Sequence, residues 1–189
     1  SILVDEAYFD YATLPGYETM IPLALENPRV VVARTFSKAG GMAGLRLGYA
    51  VGHPETIRRM AQWDATGGIN VLALAAGHAS ITQDASVWTT EAKRNNEARA
   101  YTMKWFADRG FKPTDSQTNF LFVNVKRPAK EFRDACRAEG VLVARDFPPF
   151  EKTHCRISIG TMDEMKKATE VFGKVLGAAA ATAWRVRRR

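Results

Sequence analysis

Two uninterrupted apolar runs constrain the fold most: Ile2-Leu3-Val4 and Val30-Val31-Val32-Ala33. A strand that is apolar at every position is buried on both faces, the pattern of a parallel sheet wrapped by helices. Parallel strands need a long crossover, and the segment between these runs supplies one. Its Pro15-Gly16, Pro22 and Asn27-Pro28 break it into turns and short pieces. Leu47-Gly48-Tyr49-Ala50-Val51 reads as a third short strand, closed by Gly52-His53-Pro54. Pro54 suits the first turn of a helix running to about Trp63. Gly67-Gly68 is a break, and Asn70 to about Arg109 is helical in two or three pieces, with a joint near Gln83-Asp84.

The second half alternates more tightly. Phe120-Leu121-Phe122-Val123, Val141-Leu142-Val143 and Cys155-Arg156-Ile157-Ser158-Ile159 read as strands, with helices at about 128–139 and 162–176. In the last helix Met165, Ala168, Val171, Phe172 and Val175 recur at helical spacing and form one apolar face. The chain is therefore α/β. A boundary near residue 85 divides it into a partial larger domain at 1–85 and a smaller one at 86–176, followed by an Ala/Arg tail at 177–189.

Composition removes several function classes. With 46% hydrophobic and 25% charged residues over 189 positions the chain has an ample core and is not intrinsically disordered. No stretch approaches the roughly 18 uncharged apolar residues of a spanning helix, so no membrane partner is expected. Cys136 and Cys155 are too few for a disulfide framework, and no secretory signal opens the chain, which points to a reducing, cytoplasmic setting. Beginning on a strand pattern without Met, the chain looks cut from something longer. The net charge of +7 owes four units to Arg185, Arg187, Arg188 and Arg189, so basicity is mostly a property of the tail. The body has no basic stripe with interleaved aromatics, so no nucleic-acid partner is expected. His53, His78 and His154 have no metal-ligand spacing.

The chemistry gathers at predicted strand ends, where open α/β sheets place ligand groups. Asp5 ends the first strand and Tyr8 follows it. Ser37-Lys38 follows the second. Gly40-Gly41-Met42-Ala43-Gly44-Leu45-Arg46 then forms a glycine-rich link, with Arg46 eight residues after Lys38. Singly, each has an ordinary reading. Asp5 could cap a helix, Tyr8 could pack, Lys38 could be solvated, and the glycine run fits neither a dinucleotide fingerprint nor a phosphate-binding P-loop. Together they suit one chemistry. A lysine amine forms a Schiff base with an aldehyde cofactor. Pyridoxal phosphate also needs an acid beside its ring nitrogen, a donor near its phenolic oxygen, and cationic and hydroxyl groups at its phosphate. Asp5, Tyr8, Ser37 and Arg46 supply these, and Arg46 would grip phosphate as a planar fork.

Val4-Asp5-Glu6-Ala7-Tyr8, Thr35-Phe36-Ser37-Lys38-Ala39 and Ala43-Gly44-Leu45-Arg46-Leu47-Gly48-Tyr49 resemble the core signature of fold-type I pyridoxal-phosphate aminotransferases. The likeness is greatest to the histidinol-phosphate aminotransferase branch. Thr118-Asn119-Phe120-Leu121, Gly140-Val141-Leu142-Val143-Ala144-Arg145-Asp146 and Cys155-Arg156-Ile157-Ser158-Ile159-Gly160-Thr161 resemble that family's small-domain segments. The resemblance runs to about residue 176. It implies a partial large domain with a mostly parallel sheet, and a small α/β domain at the C-terminal end. Lys38 would be the catalytic lysine, and Asp5, Tyr8, Ser37 and Arg46 the other cofactor ligands. Arg156, with Arg145 as a second candidate, would bind the substrate's carboxylate or phosphate. An arginine inside an alternating apolar strand needs an anionic partner in any case. The resemblance further implies an amino donor and a 2-oxo acid acceptor, and a homodimer in the full-length form. Two alternatives stand beside it: a decarboxylase of the same branch, and a catalytically incompetent fragment. The family's upstream phosphate loop, ring-stacking aromatic and asparagine have no counterpart in this sequence.

Overall fold

The computed structural model describes residues 1–63, 68–82 and 86–186, with residues 178–186 described by backbone alone. It comprises two compact units, Ser1–Lys93 and Arg94–Arg189.

The first unit is built on a three-stranded sheet of order β1-β2-β3, formed by β1 (Ile2–Asp5), β2 (Val30–Thr35) and β3 (Gly48–Gly52). β1 and β2 pair in parallel, from Ile2 opposite Val30 to Asp5 opposite Ala33. β3 returns antiparallel to β2 and sets Tyr49 opposite Arg34 and Gly48 opposite Thr35. Gly48 is required there, because a Cβ would come within 2.9 Å of the Arg34 carbonyl oxygen. Helix α1 (Ile21–Glu26), with Pro22 in its first turn, packs Ala24 against Val30 and Val32. The central strand is buried as its composition predicts. β1 is not: Ile2 is 62% and Leu3 67% exposed. An all-apolar run identifies a strand, but burial depends on neighbours, and β1 is an edge strand among the described residues.

Helix α2 (Pro54–Ala61) starts as read, with His53 as its N-cap accepting the Glu55 N–H at 3.4 Å. Two further helices follow, α3 (Val71–Thr82) and α4 (Ser86–Ala107). The joint at Gln83-Asp84, and Gly67 of the earlier break, lie outside the described residues.

The second unit pairs β4 (Phe120–Asn124) antiparallel with β5 (His154–Ser158), placing Phe122 opposite Arg156. Helices α5 (Ala129–Ala138), between the two strands, and α6 (Met162–Val186) cover this strand pair. The apolar face read for α6 is its buried face. Met165, Phe172 and Val175 join Phe106, Leu121, Phe132 and Ile157 in one core, with Ala168 and Val171 packed against it. Phe106 and Phe172 stack at 5.8 Å between centroids. Full burial of each such ring is worth roughly 1.5–3 kcal/mol. α6 opens with a capping box. The Thr161 N–H donates to Glu164 Oε2 at 2.7 Å, and the Glu164 N–H returns to Thr161 Oγ1 at 3.3 Å. Its helical backbone continues through the alanine run to Val186, consistent with alanine's helix propensity, while Arg187–Arg189 lie outside the described residues.

Val141-Leu142-Val143, expected as a strand, is not one. Its first residue ends α5 instead: Gly140, at φ +83°, donates to Arg137 O, and Val141 donates to Cys136 O. That pair of bonds is a Schellman-type cap. Leu142 is 75% exposed, so the segment lacks the burial that holds a strand. Among the described residues no helix is long and apolar enough to cross a membrane, and no cluster of side chains has the makings of a metal site.

Candidate active site

In the first unit the residues singled out from sequence lie on the segments that leave β1 and β2. Asp5 is exposed at the end of β1, and its Oδ1 accepts the Ala7 N–H at 3.0 Å, turning the chain. Tyr8 follows as the N-cap of a single 3-10 turn, Phe9–Tyr11, and Tyr11 is buried against Ala39 and Ala92. Ser37 and Lys38 begin the loop after β2. The Ser37 N–H donates to Thr35 Oγ1 at 3.1 Å. Gly41, at φ +69°, returns its N–H to the Lys38 carbonyl at 2.9 Å, and Met42 donates to Phe36 O at 2.9 Å. Two successive turn bonds thus fix the backbone on either side of the lysine.

The side chains meet pairwise. Lys38 Nζ lies 4.9 Å from the centroid of the Tyr8 ring. Arg46 Nη1 donates to the Ala43 carbonyl at 2.8 Å and lies 3.5 Å from Ser37 Oγ. Arg46 holds a left-handed backbone, φ 57° and ψ 46°, which is costly for a residue with a Cβ and aims its guanidinium back over the loop. Among the described residues Asp5 hydrogen-bonds to none of the other four. The set comprises a carboxylate, a phenol, an amine, a hydroxyl and a guanidinium, with Asp5 and Arg46 exposed and Lys38 half-buried. That donor and acceptor set fits pyridoxal phosphate: acid for the ring nitrogen, amine for the aldehyde, fork and hydroxyl for the phosphate.

Sequence reasoning missed the group that organises these segments. Glu6, 3% exposed, accepts hydrogen bonds from Thr19 Oγ1 at 2.8 Å, the Met20 N–H at 2.7 Å, and Arg34 Nε and Nη2 at 3.0 and 2.8 Å. Burial works against its charge, but the Met20 N–H and the Arg34 and Thr19 bonds outweigh it, so its carboxyl is held below the usual range. The signal was present: Arg34 interrupts an apolar strand, the same argument that singled out Arg156. The end of β2 also walls a cavity of ≈ 250 Å³ between Phe36, Tyr49, Ser80 and Trp88.

Arg145 and Arg156 belong to the second unit, where the structure brings them to one ring. The Arg156 guanidinium lies 3.9 Å from the Phe120 ring and 5.6 Å from Phe147, and Arg145 lies 4.9 Å from Phe147. Arg156 Nε is buried without a hydrogen-bond partner among the described residues. Two guanidiniums thus share one phenyl ring, and one of them keeps an unused donor. The neighbouring Asp146 pairs with Arg133.

The family model for aminotransferase class I and II matches residues 1–172. Histidinol-phosphate aminotransferase 2 of Methylococcus capsulatus is 35% identical over 174 residues, which are 92% of this chain and 47% of that protein. A solved structure from Erwinia carotovora atroseptica superposes with a TM-score of 0.87 at 32% identity, covering 94% of this chain and 51% of that one. Histidinol-phosphate aminotransferase from Sinorhizobium meliloti, solved with pyridoxal-5′-phosphate, superposes with a TM-score of 0.79 at 26% identity over 94% of this chain and 49% of that one. The chain thus spans about half the length of the relatives it matches, and its α/β architecture is part of the type I fold of pyridoxal-phosphate enzymes. It belongs to the family of class I and II aminotransferases, whose cofactor is pyridoxal phosphate.

Proposed function

We propose that this chain carries the lysine-bearing part of an aminotransferase that moves an amino group between an amino acid, or an amino phosphate resembling histidinol phosphate, and a 2-oxo acid. The observation that supports this reading best is the meeting of Lys38 with Tyr8 on segments that leave adjacent strands, with Asp5 ending one strand and the Ser37–Arg46 pair in the loop after the other. Pyridoxal phosphate, when bound, supplies an aldehyde for an amine and an electron-withdrawing ring.

The chain's own residues then divide the work. The Lys38 amine would hold the cofactor's aldehyde and would also move a proton at the substrate's Cα. The Asp5 carboxylate keeps a proton on the ring nitrogen. The Tyr8 hydroxyl donates to the phenolic oxygen. Ser37 and Arg46 hold the phosphate. Arg156, assisted by Arg145, takes the substrate's carboxylate or phosphate, which gives its unused Nε a partner. We place the protein in the cytoplasm and the full-length enzyme in a homodimer.

The test is to incubate the chain with pyridoxal phosphate, an amino donor and a panel of 2-oxo acids, with histidinol phosphate among the donors, and to analyse products. A new amino acid formed from the 2-oxo acid is the expected result. Carbon dioxide released from the donor without transfer would reassign the chain to decarboxylation. Neither product would make it a non-catalytic fragment.

A further inference from the structure

Among the described residues the pair of buried Glu6 and half-buried Arg34 hydrogen-bonds to none of the five cofactor residues, yet it adjoins the segments that carry three of them. Glu6 directly follows Asp5, and its own N–H extends the parallel ladder by donating to Ala33 O at 2.9 Å. Its carbonyl accepts the Phe9 N–H at 3.1 Å. Phe9 is the residue after Tyr8, and the Arg34 guanidinium lies 4.3 Å from its ring centroid. Arg34 lies on β2 two residues past its buried part, Val30–Val32, and four residues before Lys38. Thr19 Oγ1 completes the cluster, donating to Glu6 and accepting from Arg34 Nη2 at 3.0 Å.

Stability alone is a weak reason for such a pair. Taking the Glu6 carboxylate out of water, with Arg34 partly so, costs several kcal/mol, and packed apolar residues of similar volume often do as well or better. What an apolar pair cannot do is fix direction. Glu6 Oε2 accepts both Arg34 Nε and Nη2 while Oε1 accepts the Met20 N–H, so the two oxygens of one carboxylate tie β2 and the Met20 segment to the end of β1 from different directions. Reaction geometry is sensitive to shifts of about 1 Å, so a clamp at this point has leverage on the chemistry.

We infer that Glu6 and Arg34 are positioning residues, a clamp that holds Asp5, Tyr8 and Lys38 in the mutual arrangement that captures pyridoxal phosphate. The clamp acts on backbone segments and makes no contact with the cofactor. This inference rests on the cofactor-binding role proposed above for Lys38.

The experiment compares wild type with Glu6→Met/Arg34→Met, a double variant that replaces the pair by apolar side chains. Thermal melts establish folding. Two further readouts follow: the rate at which pyridoxal phosphate and borohydride label Lys38, and the visible circular dichroism of the bound cofactor, which reports its orientation. The clamp predicts a folded double variant with Lys38 labelling reduced about tenfold or more and an altered visible dichroism. A pair that only stabilises the fold predicts wild-type labelling and dichroism once melting temperature is restored, and that result overturns the clamp while leaving the cofactor role intact. Wild-type protein that acquires no label at Lys38 overturns both. Should the double variant not fold, Thr19→Val decides by the same two readouts. It removes the hydroxyl that bonds both Glu6 and Arg34 while keeping both charges, so reduced labelling supports the clamp and unchanged labelling overturns it.

Discussion

Lys38 Nζ rests 4.9 Å from the centroid of the Tyr8 ring, an ammonium held on an aromatic face across the ends of two adjacent strands. At a half-exposed position such a contact is worth about 0.5–1 kcal/mol. Tyr8→Leu should therefore raise the rate at which an amine-directed reagent such as trinitrobenzenesulfonate modifies Lys38 by about two- to fivefold. Peptide mapping of the modified protein measures this, and an unchanged rate would mean that the ring does not restrain the amine.

Arg46 stores backbone strain beside the phosphate-binding groups, at φ 57°. Arg46→Gly and Arg46→Ala both lose the bond to the Ala43 carbonyl, but only glycine relieves the left-handed conformation. The glycine variant should be the more stable of the two by about 1–2 kcal/mol, read from denaturant melts. Equal stabilities would show that the strain is absent in solution.

Glu6 links the site to acid stability. Its ordinary value is 4.5, and in the fold it lies lower because the Met20 N–H, Arg34 and Thr19 outweigh the burial that pushes it up. A carboxyl that is more acidic folded than unfolded contributes stability that is complete above its unfolded pKa and is lost as pH falls through the folded one. The melting temperature of the first unit should therefore decline below about pH 4.5, and the decline should be shallower in Glu6→Gln. Parallel slopes in the two proteins would contradict the assignment.

Cys136 and Cys155 are buried in the core of the second unit, and burial pushes both thiols up to about 12. At pH 8 about one thiol in ten thousand is then ionised, so disulfide reagents should titrate neither cysteine until the protein unfolds. Fast titration of either thiol in native protein would show that this core opens.

Local patterns were legible where one segment decides the outcome. The Lys38 loop, the Pro54 helix start, the two helices on either side of Gln83-Asp84 and the apolar face of α6 follow from short-range chemistry. What escaped needed partners. Glu6 and Arg34 are distant in sequence, so neither residue's burial shows in its own neighbourhood. Ile2 and Leu3 read as buried because an apolar run does not say whether a neighbour covers it. Val141-Leu142-Val143 has strand composition, but its leading N–H, that of Val141, is taken by the end of α5. The placement of Asp5, Tyr8, Ser37 and Lys38 was legible because they lie at or just past the ends of β1 and β2, and parallel pairing brings such ends together.

The central claim is that Lys38 is the residue that takes the cofactor. Pyridoxal phosphate is added to the purified chain, the adduct is reduced with borohydride, and the digested protein is analysed by mass spectrometry. The expected result is a single phosphopyridoxyl label on the peptide containing Lys38, absent from Lys38→Ala. A label spread over surface lysines, and unchanged in Lys38→Ala, would contradict it.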